Sequence, residues 1–73
     1  MRLSELTTNQ NATITWIHAQ GEIVDQLLEM GLTPGTTVAL IRRGPFGNPL
    51  ELLVRGYRLS IHKQQASTVE IAL

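Results

Sequence analysis

All six glycines and all three prolines of this chain lie between positions 21 and 56, and no gap between them there exceeds ten residues. Proline neither continues a helix nor donates to a sheet, and glycine collects where a backbone must turn. The marks are Gly21, Gly31, Pro34-Gly35, Gly44-Pro45, Gly47, Pro49 and Gly56. They rule out a long helix through the middle of the chain and cut it into short segments.

The segments have readable periods. Ala12, Ile14 and Trp16 alternate with Thr13, Thr15 and Ile17, which predicts a strand over Ala12 to His18. Before it, Leu3 and Leu6 are placed to cover one end of a core, and Thr7 to Asn11 is polar and turn-like. From Glu22 to Met30 the period changes. Ile23, Val24, Leu27 and Leu28 make one apolar stripe, and Glu22, Asp25, Gln26 and Glu29 take the other face of a helix. Gly31 suits the left-handed residue after the last turn, and Thr33-Pro34-Gly35-Thr36 suits a type II turn.

The remainder reads as strands. Thr37 to Arg43 places Val38 and Leu40 on one face, with Ala39 and Ile41 on the other. Leu50 to Arg55 turns Leu50, Leu52 and Val54 inward, and Gly56 permits a tight turn or bulge. Tyr57 to His62 puts Tyr57, Leu59 and Ile61 inward. Lys63 to Ser67 is a short connection with room for one helical turn, and Thr68 to Leu73 ends with Val69, Ile71 and Leu73 inward. Hairpin-sized connections make neighbouring strands antiparallel. The predicted fold is mostly β: a small, partly open antiparallel barrel of about five strands, with one short helix after the first strand plugging an open end.

At 73 residues the chain predicts a single domain, 1–73, near the lower limit for one hydrophobic core. It has no cysteine, which excludes disulfides and cysteine-based zinc sites and fits a reducing cytoplasm. Apolar residues at 42% and charged residues at 16% are the proportions of a folded chain. No segment approaches the ~20 apolar residues of a membrane span, and the first residues lack the apolar core of a signal peptide. The expectation is a soluble protein without direct membrane insertion.

Net charge is zero, which argues against a polyanionic partner. The charges are nevertheless segregated. Arg2 stands against Glu5, Glu22, Asp25 and Glu29 in residues 1–36, leaving −3. Arg42, Arg43, Arg55, Arg58 and Lys63 stand against Glu51 and Glu70 in residues 37–73, leaving +3. No aromatic stacking platform interleaves with the basic residues, so no nucleic acid is expected. An acidic patch on a protein partner is the better use of those cations.

Three blocks carry a family resemblance. Leu28-Glu29-Met30-Gly31-Leu32-Thr33-Pro34-Gly35-Thr36 resembles the "LxxLGLxPGt" signature of the FeoA domain. Arg43-Gly44-Pro45-Phe46-Gly47-Asn48-Pro49-Leu50 is similar to its "aPLGDPL" loop. Leu59 to Ala66, followed by Val69-Glu70-Ile71, resembles its "laLRkxeAxxIxV" tail. The blocks occur in order and at family-like spacing. Gly44 stands where the family often has Ala, Phe46 where Leu is usual, Asn48 where Asp is usual, and His62 where Arg is common. The resemblance implies an SH3-like barrel in the cytoplasm, accessory to ferrous iron uptake through the membrane permease FeoB. It extends to the C-terminal module of iron-dependent repressors of the DtxR type. A stand-alone metal-responsive regulator is therefore one alternative, and a self-associating structural module is another.

Catalysis finds no support in the residues. There is no Ser-His-Asp pattern, no phosphate loop with lysine and no carboxylate pair set by spacing, so neither an enzyme nor a cofactor is predicted. His18 and His62, with Glu22 and Asp25, are the only candidate metal ligands, and the two histidines fall in different elements, so no metal site is assigned. The expected chemistry is binding. Phe46 on a Gly/Pro-rich loop is the expected anchor, with Pro45 and Asn48 beside it. Met30, Leu32 and Pro34 around the helix cap are expected to complete the surface, and Arg43 and Arg58 to orient the encounter. Ile17, Ala39, Ile41 and Leu53 on outer strand faces are divided between helix packing and an oligomer or partner surface.

Overall fold

The computed structural model describes all residues, 1–73. Its strands are β1 (Asn11–Ile17), β2 (Thr37–Arg43), β3 (Leu50–Val54), β4 (Tyr57–Ile61) and β5 (Val69–Ala72). Helix α1 (Glu22–Glu29) follows β1, and a single turn, α2 (Lys63–Ala66), links β4 to β5. The strands form one sheet in the order β4-β3-β2-β1-β5, every pair antiparallel. Strands β4 and β5 are its two edges, so the barrel is partly open, as the hairpin-sized connections predict.

The alternation of β2 and β3 sets the core. Val38 pairs with Val54 and Leu40 with Leu52, and all four are buried. Leu50 and Ile61 extend the same face through β4, and Ala12, Ile14, Val69 and Ile71 close it through β1 and β5. Leu3 and Leu6 are fully buried at one end, flanking the 3₁₀ turn Leu3–Glu5, which packs on α2 and β5. Arg43 fastens that segment. Its Nη2 donates to the carbonyls of Ser4 at 2.6 Å and Leu6 at 2.8 Å.

The turns follow from their glycines. Gly31, at φ 93°, ends α1, with Leu32 N–H bonded to Leu27 O and Gly31 N–H to Leu28 O, both at 3.0 Å. This is the Schellman arrangement, and it places Leu27 and Leu32 together in the core. Gly35, at φ 91°, and the Thr36 N–H to Thr33 O bond of 3.1 Å make the expected type II turn. Arg55 and Gly56, at φ 47° and 85°, form a type I′ turn between β3 and β4.

Three strand residues, and part of the helix stripe, lie outside where the sequence pattern puts them. Trp16 should follow Ala12 and Ile14 inward, yet it is 60% exposed. The β1–β5 register shifts between Ile14 and Trp16, and one unpaired residue reverses which face the following ones take. Tyr57 at the start of β4 leans outward, and its hydroxyl donates to the Met30 carbonyl beyond α1. Leu73 lies past the end of β5 and is exposed. Helix α1 buries only Leu27. Val24 is half-buried, and Ile23 and Leu28 are exposed, because an eight-residue helix covers the barrel mouth with one side chain.

Candidate functional site

Strand β2 divides the expected docking residues into two groups. Met30, Leu32 and Pro34 precede its start at Thr37, while Pro45, Phe46 and Asn48 follow its end at Arg43. Seven residues of strand hold the groups about 20 Å apart. The helix cap and the Phe46 loop are thus two surfaces at opposite ends of the barrel.

At the loop end, Phe46 is fully exposed. It occupies the middle of a 3₁₀ turn, Pro45–Gly47, at φ 59° and ψ 25°. That left-handed conformation strains a bulky side chain by about 1–3 kcal/mol and persists only where surrounding bonds fix it. Several do. Gly44 N–H bonds Pro49 O at 2.8 Å and Gly47 N–H bonds Gly44 O at 3.0 Å. Asn48 Oδ1 accepts the Lys63 N–H at 2.9 Å, tying the loop to α2. A Cβ on Gly44 would stand 2.5 Å from the Asn48 carbonyl oxygen, so this closed form requires glycine. Pro45 is exposed beside Phe46, whereas the Arg43 guanidinium is turned inward to the Ser4 and Leu6 carbonyls. Arg58 stands apart from the loop: it is exposed toward the cap end of β4, paired with Leu53, and shares the Glu51 carboxylate with Arg42, at 3.4 and 3.3 Å.

At the cap end, Leu32, expected on the docking surface, is instead fully buried, which follows from its place in the Schellman motif. Met30 is half-buried, and Pro34 is exposed. Pro34 joins Trp16, Ile17, Val24 and Leu28 around an apolar groove of about 240 Å³. Ile17 accordingly packs toward the helix, while Leu53 stays exposed on the outer face. Residue patterns missed this groove for two reasons. The bulge after Ile14 everts Trp16, and the helix stripe is wider than the part it buries. The stripe itself carried a signal, since four apolar residues exceed what two helical turns can seat. Asp25 and Glu29 lie on the polar face of α1, outside the lining of the groove, and neither forms an ion pair.

The turn at this end is fixed by polar contacts. Thr36 is buried, its hydroxyl 2.9 Å from that of Thr33, and Arg55 Nη2 donates to Thr36 Oγ1 at 2.8 Å. Across β1 and β5, His18 Nε2 lies 2.7 Å from Glu70 Oε1. The hydrogen bond from His18 holds the Glu70 carboxyl below its ordinary value, against partial desolvation, with help from the charges of His18 and Arg2. No three His, Cys, Asp or Glu side chains converge to hold a metal ion, and His18 and Glu22 do not form a pair. No helix is long and apolar enough to cross a membrane.

The FeoA domain model matches residues 1–73. The chain belongs to the FeoA family. It is 32% identical over 73 residues to the Fe(2+) transport protein A/Fe(2+) transporter FeoB fusion protein of Porphyromonas gingivalis, covering all of this chain and 9% of that protein. It thus spans less than a tenth of that curated relative. FeoA of Stenotrophomonas maltophilia, solved with zinc and described as a prokaryotic SH3 domain protein, superposes with a TM-score of 0.84 at 30% identity, covering 99% of this chain and 89% of that one. The SH3-like architecture expected from the motif blocks is therefore established. IdeR of T. acidophilum superposes at 0.86 over 100% of this chain and 33% of its own, but at 22% identity it shares the fold alone. FeoA domains serve ferrous iron transport, and they are not a known family of enzymes.

Proposed function

We propose that this FeoA domain is a non-catalytic accessory of ferrous iron uptake that docks, in the cytoplasm, on a FeoB-type permease through its Phe46 loop. The observation that carries the surface is Phe46 itself, a fully exposed aromatic held in a strained conformation by a closed loop. Strain kept at an exposed side chain is a mark of use, because nothing in the core gains from it. The partner is supported by the P. gingivalis protein, which carries the same domain and FeoB in one polypeptide. Fusion raises the effective concentration of two modules and brings an advantage when they meet.

Pro45 stiffens the loop, Asn48 anchors it to α2, and Arg58 with Arg42 adds positive charge on the neighbouring strands. Capture of the cytoplasmic part of the permease by wild type and by Phe46→Ser tests the reading. Phe46 touches little, so the variant folds normally, and its capture should fall at least tenfold, the cost of losing a central aromatic anchor of about 2 kcal/mol. Equal capture by a folded Phe46→Ser overturns the site, and failure of the wild type to capture overturns the partner.

A further inference from the structure

Helix α1 is joined to the barrel by little. Beyond the cap bond to the adjoining Leu32, a single hydrogen bond ties residues 19–31 to the rest of the chain: the Tyr57 hydroxyl donates to the Met30 carbonyl. Neither Glu22, Asp25 nor Glu29 forms an ion pair. Leu27 is the only fully buried side chain of the helix. On both sides of this stretch the chain is pinned. His18 N–H bonds Thr68 O at 2.6 Å, and its ring meets Glu70. Leu32 is fully buried, and Arg55 holds the Thr33 and Thr36 hydroxyls at 3.3 and 2.8 Å. Between the pinned ends stand two glycines, Gly21 at φ 67° and ψ −140° and Gly31 at φ 93°. These backbone angles are open to glycine and strained for other residues. We infer that α1 is a hinged cover, which leaves the barrel mouth about Gly21 and Gly31 while the five strands stay paired, and that the Tyr57 hydroxyl is its latch.

The barrel has what it needs to survive the opening. None of the strand pairings includes a residue of α1. Leu27 is one of 15 residues in the core, so the other 14 keep their seats. The released helix does not keep its own form, because eight residues are too few to stay helical in water. Its amides therefore lose protection when the latch opens. The surface changes too. Val24 and Leu28 line the apolar groove together with Trp16, Ile17 and Pro34, so the groove exists only while α1 is latched. The cover thus switches the cap end between a grooved surface and an open barrel mouth. The Phe46 loop, at the other end of β2, is untouched, and the cover does not rest on the docking proposed above.

Amide hydrogen exchange of the full chain, followed by NMR in rising, sub-denaturing urea, reads such an opening residue by residue. The amides of α1, with those of Met30 and Gly31, should exchange at least about tenfold faster than the bonded amides of β2 and β3. Their rates should depend only weakly on urea, because the opening exposes little surface. Tyr57→Phe should quicken α1 exchange by about two- to tenfold, the worth of one hydrogen bond. Gly21→Ala should quicken it by at least about fivefold through backbone strain alone, since a Cβ there meets nothing within 4 Å. Ile61→Val separates the cover from the whole. Ile61 is buried against Leu50 at the loop end, and its contacts outlast the opening. That variant should speed the β2 and β3 amides by roughly two- to tenfold and leave α1 at its wild-type rate. If α1 speeds up together with the strands in Ile61→Val, the helix leaves only when the whole molecule unfolds, and the cover is overturned. Unchanged α1 exchange in Tyr57→Phe overturns the latch, and unchanged exchange in Gly21→Ala overturns the hinge.

Discussion

Gly31 and Glu70 show how much a single position can carry in so small a core. Gly31 is held at φ 93°, and a Cβ there would run into the Tyr57 hydroxyl. Gly31→Ala should therefore destabilise the fold by about 1–2 kcal/mol, read as a lower denaturation midpoint with an unchanged slope. In a Tyr57→Phe background the steric part vanishes and the backbone part remains, so most of the loss should persist. Glu70 makes a different kind of contribution. Its carboxyl is held below the ordinary value of 4.5 by the hydrogen bond from His18, so the folded state binds that proton less readily than the unfolded state does. The resulting stabilisation is complete above the ordinary value and fades as pH falls through the lowered one. His18→Ala should raise the Glu70 pKa toward its ordinary value, as followed by its side-chain carbon shift in an NMR titration. An unmoved Glu70 would place the cause elsewhere.

Elements were legible in the sequence where each strand residue has one partner. Leu50, Leu52 and Val54 alternate without interruption, pair one-to-one with β4, and are all buried. Legibility stopped at β1, because a bulge leaves no mark in a run of β-branched and aromatic residues. Ile14 and Trp16 look equivalent in the sequence and are opposites in the fold. Ile14→Ala should cost about 2–5 kcal/mol in thermal or chemical denaturation, whereas Trp16→Ala should cost well under 1 kcal/mol. Equal costs would mean that Trp16 is packed after all. The role of Arg43 was equally hidden, since its partners are backbone carbonyls far away in the chain. It reads as a surface cation and acts as the tie that seats Leu3 and Leu6. Charged hydrogen bonds of this kind contribute about 1.5–3 kcal/mol. Arg43→Ala should lose about that much and should first release hydrogen-exchange protection at Leu6. Arg43→Lys should recover only part of it, because an ammonium does not reproduce the fork of a guanidinium.

At the scale of the molecule, the surfaces are arranged by β2. The sequence already held the separation of cap turn and Phe46 loop, because a seven-residue strand between two turns implies about 20 Å. What it hid was the groove, which takes its lining from β1, α1 and the Pro34 turn and exists only once they are assembled. The same arrangement sorts charge. The free carboxylates of α1 lie at the cap end, and Lys63, exposed and without an ion-pair partner, lies at the loop end. A molecule polarised in this way is oriented by the field of an acidic partner before contact, which speeds encounter without strengthening the final grip. Lys63→Glu together with Arg58→Glu should therefore slow association with the cytoplasmic part of the permease by about tenfold at low salt, and the gap should close as salt is raised. Dissociation should hardly change. Phe46→Ser should do the reverse, leaving the association rate near wild type and speeding dissociation. Surface plasmon resonance separates the two rates. If the charge reversals instead accelerate dissociation, the cations lie inside the contact, and the docking surface extends from the loop along α2.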